Sequence, residues 1–262
     1  ELQISGDYSF PQVKARFSLS PAGFDKFEAN QVEGVAEISR NEFQGVFNVN
    51  DQDMKGEIRL QAGEESVEAK IQVVEGSVER ILPGLDIPLP LQGQASGNFE
   101  VKQRGKEDVE VQGKFSGSLL NLWGQNLKDV KGKLAWKEKT LSFPEIEFRL
   151  NEGLLKGKAR VAPESQEFDI DISAEEIDLS TFYPQLEGKL GFNLRGAGIF
   201  GRDLATGKFA IKGLNFTPFE EMEASGEAEL GYTEDRLTLK LKGNFFPGEN
   251  DFLITLAVPF EE

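Results

Sequence analysis

Apolar and polar residues alternate with period two along almost the whole chain, the pattern of strands with one buried and one wetted face. From 186 to 195, Leu186, Gly188, Leu190, Phe192 and Leu194 share one face, and Glu187, Lys189, Gly191, Asn193 and Arg195 share the other. The same holds for Leu237, Leu239, Leu241 and Phe245 against Thr238, Lys240, Lys242 and Asn244. It recurs in Val13, Ala15, Phe17 and Leu19, in Leu155, Ala159 and Val161, and in Phe252, Ile254, Leu256 and Val258. The pattern predicts roughly sixteen strands. They are separated by short turns such as Asp51-Gln52-Asp53, Gly105-Lys106 and Thr233-Glu234-Asp235, and short turns make neighbouring strands antiparallel.

Helical periodicity is confined to two single turns, Ser77–Leu82 and Leu179–Tyr183, each followed by a proline (Pro83, Pro184) that cannot continue a helix. No segment of this sequence is fit to lie across the sheet as a covering helix. More sheet, a partner or a ligand must therefore cover the apolar face.

The sequence also repeats. Leu91-Gln92-Gly93 returns as Leu186-Glu187-Gly188, 95 positions on, and the strand Val130–Trp136 returns as Ala224–Leu230, 94 positions on. A weaker copy of that glycine strand lies at Val32–Ile38. The expected organisation is the back half of a repeat over 1–74, a full repeat over 75–169 and a nearly full one over 170–262. The proline-ended turns then mark crossovers between groups of about six strands. The first residues already read as a strand, so the chain reads as an interior piece of something longer.

Glycine inside a strand costs stability and marks a bend or a close approach. Gly34, Gly93, Gly97, Gly113, Gly132, Gly157, Gly188, Gly226 and Gly243 all share the parity of the apolar face. Any one of them is compatible with a bend in a closed sandwich. Repetition on one face predicts a sheet curved the same way throughout. The expected fold is all-β: an elongated, curved antiparallel sheet forming an apolar groove, with almost no helix.

Composition narrows the chemistry. With no cysteine there is no disulfide framework, thiolate nucleophile or cysteine metal site, and with no histidine the usual general base and commonest metal ligand are missing. A net charge of −16, from 29 Lys+Arg against 45 Asp+Glu, is poorly suited to a nucleic-acid phosphate backbone. The doublets Glu64-Glu65, Glu175-Glu176 and Glu220-Glu221 read as solvated turns in preference to an acid–base pair. The loop Asn50-Asp51-Gln52-Asp53 lacks the spacing of a calcium loop, and Gly196-x-Gly198-x-x-Gly201 has no following helix to make a dinucleotide site. No catalytic residue, metal site or cofactor is expected.

The informative feature is the stripe. Its candidate members are Phe17, Phe47, Leu91, Phe99, Phe115, Leu134, Trp136, Phe143, Phe148, Val161, Phe168, Ile170, Leu190, Phe192, Leu194, Phe209, Ile211, Leu239, Leu241, Phe245, Phe252, Ile254 and Leu256. They form either the core of a closed sandwich or a one-sided trough. Such a trough suits an acyl chain, because each buried CH₂ is worth about 0.8 kcal/mol without a directional partner. On the opposite parity, Lys131, Lys133, Lys156, Lys158, Arg160, Lys240 and Lys242 read as a solvated face pairing with carboxylates, or as a head-group track.

The run Ile177-Asp178-Leu179-Ser180-Thr181-Phe182-Tyr183-Pro184-Gln185-Leu186-Glu187-Gly188-Lys189-Leu190, followed by Gly196-Ala197-Gly198, resembles the linking unit of the TamB and AsmA-like proteins of the Gram-negative envelope. Val130–Val161, with Thr140-Leu141-Ser142-Phe143 and Gly157-Lys158-Ala159-Arg160-Val161, is similar to their repeating unit. The resemblance covers about 70–262 well and 1–70 more loosely. It implies a β-groove (β-taco) crossing the periplasm, anchored at the inner membrane by an N-terminal segment absent here and conducting phospholipids toward the outer membrane. It also implies a role as a translocation and assembly module for outer-membrane β-barrel proteins, with a barrel partner. The leading expectation is a passive lipid conduit that binds phospholipid acyl chains; the alternatives are a strand-lending scaffold and a plain structural array.

Overall fold

The computed structural model describes the chain except residues 8–9, 25–26, 52–53, 81–90, 106–107, 123, 151, 182–183, 200–201, 203, 217–218, 233–235, 247–250 and 260–262. The expected turns at Gln52-Asp53, Lys106 and Thr233–Asp235, residues 81–83 and the Phe182-Tyr183 pair lie outside the described residues, as does the side chain of Leu256.

The fold is all-β. The strands are β1 (Leu2–Asp7), β2 (Phe10–Leu19), β3 (Ala22–Phe24), β4 (Phe27–Ala29), β5 (Val32–Ser39), β6 (Glu42–Asn50), β7 (Met54–Ala62), β8 (Ser66–Ser77), β9 (Leu91–Arg104) and β10 (Asp108–Leu122). They continue as β11 (Gln125–Lys137), β12 (Thr140–Leu150), β13 (Gly153–Ala162), β14 (Glu167–Asp178), β15 (Glu187–Ile199), β16 (Ala205–Phe216), β17 (Phe219–Tyr232), β18 (Arg236–Phe246) and β19 (Asp251–Pro259). Seventeen of them belong to one open antiparallel sheet, and β3 and β4 form a separate hairpin. The alternation thus yields the antiparallel sheet it predicts. The strands beyond sixteen include β3 and β4, whose three residues each are too few to show a period.

Two compact units divide the chain. The first comprises 1–120 and 133–138, the second 121–132 and 139–262. In the first, β1, β2, β5, β6, β7, β8 and β9 pair in that order. In the second, β12 to β19 pair consecutively.

Among the described residues, helix is limited to single turns at the two expected places. Residues 78–80 make a helical turn after β8, and Leu179–Thr181 make a 3₁₀ turn after β14. Val78 and Leu179 are buried there. A β-bulge precedes each turn, between Val73 and Gly76 and between Ala174 and Ile177. The bulge inserts an unpaired residue and bends the strand just where the chain leaves the sheet.

Polar contacts hold these turns. Asp178 acts as an N-cap: its Oδ1 accepts the Ser180 amide at 3.0 Å and the Ser180 hydroxyl at 2.6 Å, while Oδ2 accepts Lys189 Nζ at 2.9 Å. In the first unit Asp51 is only 8% exposed. A buried carboxylate needs partners. It accepts a hydrogen bond from Asn30 Nδ2 and an ion pair from Arg80 Nη1 at 3.6 Å, which ties the helical turn to the β6–β7 turn.

Candidate functional site

Residues opposite one another in successive antiparallel strands line up as rows across a sheet, and each row is a line of contacting side chains. In the second unit one row runs Phe148, Leu155, Ala174, Phe192, Phe209, Gly226, Gly243, Phe252 from β12 to β19. Beside it lies Ile146, Gly157, Ile172, Leu194, Gly207, Ala228, Leu241, Ile254. Ile177, Leu190, Ile211, Ala224 and Phe245 make a third. Phe143, Ala159 and Ile170 align, as do Leu141, Val161 and Phe168, and Leu230, Leu239 and Leu256.

Phe143 and Phe148 differ in parity within β12 and still share the face. The bulge between Phe143 and Ile146, at Pro144 and Glu145, resets the phase. Proline is tolerated in a strand at such a bulge.

In the first unit the corresponding row is Phe17, Gly34, Phe47, Ile58, Ile71, Phe99. Leu91, Phe115, Leu134 and Trp136 are half-buried. Ile58 and Ile71 complete the row although they are absent from the candidates chosen on sequence. Their signal was the alternation itself, since Glu57 and Arg59 flank one and Lys70 and Gln72 the other.

The glycines do the work that their parity suggests. Gly34 lies between Phe17 and Phe47, whose ring centroids are 5.7 Å apart. A Cβ on Gly34 would stand 2.8 Å from Phe17 Cζ. Phe99 sits in the same way against Gly97 and Gly113, where a Cβ would come within 2.6 and 2.3 Å of its ring. Removing the side chain lets an aromatic ring lie over bare backbone, the aromatic rescue of a strand glycine.

Burial along this face varies from position to position, and in the second unit's own row Phe148, Phe192 and Phe252 are half-buried as the first unit's rings are. In the second unit Leu241 is 0%, Leu190 1% and Phe209 4% exposed, and they belong to one buried cluster. In the first unit Phe17, Phe47, Ile58, Ile71 and Phe99 are all only half-buried.

The opposite face carries charge in pairs. Glu147 takes Lys131 at 2.7 Å and Lys156 at 3.6 Å, and Asp171 takes Arg195 at 2.8 Å and Lys158 at 3.6 Å. The Lys131 hydrogen bond holds the Glu147 carboxyl below its ordinary pKa. Lys240 and Lys242 stand opposite Glu229 and Glu227, and Arg160 opposite Asp169. This is the solvated face pairing with carboxylates. Exposed pairs of this kind add little stability each.

Glu64 and Glu65 are exposed at the turn after β7, Glu175 and Glu176 are exposed but lie within β14 and not in a turn, and the side chains of Glu220 and Glu221 lie outside the described residues. Gly196 and Gly198 lie inside β15, where the fingerprint-like spacing is strand. Among the described residues no group of three or more His, Cys, Asp or Glu is placed to hold a metal ion. Among them, too, no helix is long and apolar enough to cross a membrane.

No known protein family, curated protein or solved structure matches this chain.

Proposed function

We propose that the chain is a periplasmic interior segment of a bridge-like lipid-transfer protein, whose apolar face carries phospholipid acyl chains between the inner and outer membranes of a Gram-negative envelope. The observation that carries this reading is the row Phe17, Phe47, Ile58, Ile71 and Phe99. It is apolar across six strands, broken only by Gly34, and every large member keeps part of its surface uncovered. A continuous apolar strip of this kind marks a binding surface. An acyl chain satisfies it, because it offers apolar area and demands no hydrogen-bond partner. The runs similar to the TamB and AsmA-like repeat support the same reading. In it the chain works as a passive groove, without catalysis or cofactor.

The test is native mass spectrometry with lipid extraction on the protein purified from a Gram-negative host, comparing the parent with Phe47→Asp and the opposite-face control Asn48→Asp. Co-purifying phospholipid lost in Phe47→Asp alone supports the conduit. A lipid-free parent under gentle purification overturns it.

A second reading is a scaffold that lends a strand to outer-membrane β-barrel proteins by β-augmentation. It is favoured by β1, where Leu2 and Ile4 are 65% and 66% exposed. It predicts that a proline in β1 abolishes peptide capture while Phe47→Asp leaves it intact.

A further inference from the structure

The two helical turns share more than their place in the sequence. Ser77 and Asp178 are the last residues of β8 and β14. Each stands opposite the residue that follows a positive-φ glycine in the next strand: Gln94 after Gly93 (φ 122°), and Lys189 after Gly188 (φ 142°). A β-bulge lies just before each, and the residue after each, Val78 or Leu179, is buried. The two crossovers thus begin from one local arrangement.

Their polar residues are exchanged. In the second crossover the carboxylate comes first and the hydroxyl two residues later, Asp178 accepting both the amide and the hydroxyl of Ser180. In the first the hydroxyl comes first: Ser77, only 4% exposed, donates to the Glu79 carboxylate. A hydroxyl so deeply buried needs such a partner. Burial works against the Glu79 charge, but hydrogen bonds from its own amide, the Gly93 amide and Ser77 outweigh it and hold the carboxyl below its ordinary pKa. In both crossovers the carboxylate also reaches the strand that follows. Glu79 Oε2 accepts the Gly93 amide at 2.9 Å, and Asp178 Oδ2 accepts Lys189 Nζ at 2.9 Å. An ionised acceptor makes these the stronger kind of hydrogen bond.

From this exchange we propose that Ser77 with Glu79 and Asp178 with Ser180 are two versions of one latch, in which a hydroxyl–carboxylate pair closes the helical turn and the carboxylate fastens it to the following strand. The latch requires one group of each kind, two residues apart, in either order. Opening it frees the turn, its buried Val78 or Leu179 and the start of β9 or β15 together. The inference is independent of what the apolar face carries.

Exchanging the pair is the test. Ser77→Asp alone sets two carboxylates two residues apart with no hydroxyl, and Glu79→Ser alone leaves two hydroxyls with no carboxylate. Each should lower the Tm by about 3 °C. The double change copies the second crossover into the first, with Gln94 in the place of Lys189, and should return to within about 1 °C of the parent. Asp178→Ser, Ser180→Glu and their combination make the reciprocal exchange at half-buried residues, with Gly188 in the place of Gly93. If the buried Ser77 site accepts no carboxylate and its variants do not fold, the reciprocal exchange decides. Double variants that regain more than half of the summed loss of their singles support the latch. A smaller recovery at either crossover, or singles as stable as the parent, overturns it. Hydrogen exchange reads the fastening separately. Glu79→Ala should speed exchange of the Gly93 amide about tenfold, while Glu75→Ala, which removes the exposed partner of Lys55 from the same strand, should leave it unchanged. An unchanged Gly93 amide in Glu79→Ala, or equal acceleration in Glu75→Ala, overturns the fastening.

Discussion

Phe209 and Phe252 stand on the first and last of four consecutive strands, yet their ring centroids are 5.9 Å apart. In a flat sheet three strand spacings separate such positions by about 14 Å. The gap closes because the strands curl toward the apolar side and the two residues between, Gly226 and Gly243, present no side chain. A Cβ at Gly226 would lie 2.2 Å from the Lys242 carbonyl oxygen, and one at Gly243 would lie 2.2 Å from that of Ser225.

Valine at either glycine is therefore expected to destabilise the fold by about 3 kcal/mol, through overpacking against backbone that cannot yield. Gly63→Ala is the control, since nothing lies within 4 Å of a Cβ there. It should change stability by less than about 1 kcal/mol. Urea denaturation reads both, and a Gly226→Val protein as stable as the parent would refute the curl.

Truncating Phe209 and Phe17 should separate a buried ring from a half-buried one. Phe209→Ala removes a buried ring and should cost about 3–5 kcal/mol, whereas Phe17→Ala removes a half-buried one and should cost about half as much. Comparison of the urea midpoints at constant slope checks this. Equal losses would show that the two rings are covered alike.

The β11–β12 hairpin stores backbone strain that can be relieved. Glu138 and Lys139 have φ of 50° and 59°, the left-handed pair of a two-residue hairpin turn that favours Asn-Gly. Lys139 is held there in part by Glu164 at 2.8 Å. The double change Glu138→Asn with Lys139→Gly should stabilise the protein by about 1–2 kcal/mol despite losing that exposed pair. A rise in Tm is the expected readout, and a fall would mean that the pair outweighs the strain.

Acid should loosen the turn at Leu179–Thr181. The Ser180 hydroxyl, then Lys189 and the Ser180 amide, bring the Asp178 pKa from 3.8 down to about 2. A carboxyl whose folded pKa is depressed adds stability in full above its unfolded value. That contribution is lost as the pH falls from about 5 toward 1. Asp178→Asn keeps a capping oxygen but has no charge to lose. The variant should thus be less stable than the parent at pH 7 and show a shallower loss between pH 5 and pH 2. Parallel stability–pH curves for the two proteins would remove Asp178 from the account.

The strand pattern was legible because each strand wets one face, so that Lys189, Asn193 and Arg195 report the position of Leu190 and Leu194 as clearly as those residues do themselves. The glycine parity was legible for the same reason, and it pointed to the close approaches now seen at Gly34, Gly226 and Gly243. Three things were not. The hairpin of Ala22–Phe24 and Phe27–Ala29 is shorter than two periods of alternation. The polar ties of Asp51 and Asp178 join residues 21, 29 and 11 positions apart (Asn30 and Arg80 for the first, Lys189 for the second), which no local pattern encodes. The different burial of Phe17 and Phe209 also escaped the sequence, because both occupy the same kind of row, a phenylalanine beside a glycine. Only the tertiary curl decides how much water each ring sees.

The bulges give the sheet a freedom of its own. An inserted residue in an ordinary strand would turn every later side chain to the wrong side. At Phe143/Ile146, Ala174/Ile177 and Val73/Gly76 the sheet takes up the misfit within the bulge and the apolar rows run on undisturbed. The bulges before the two helical turns are 101 positions apart, from Val73 to Ala174, while Leu91 and Leu186 beyond those turns are 95 apart. The two spacings differ by a few residues, and the difference falls between the bulges and the strands that follow the helical turns. A residue gained or lost at such a bulge is absorbed locally, and the inner surface stays in phase.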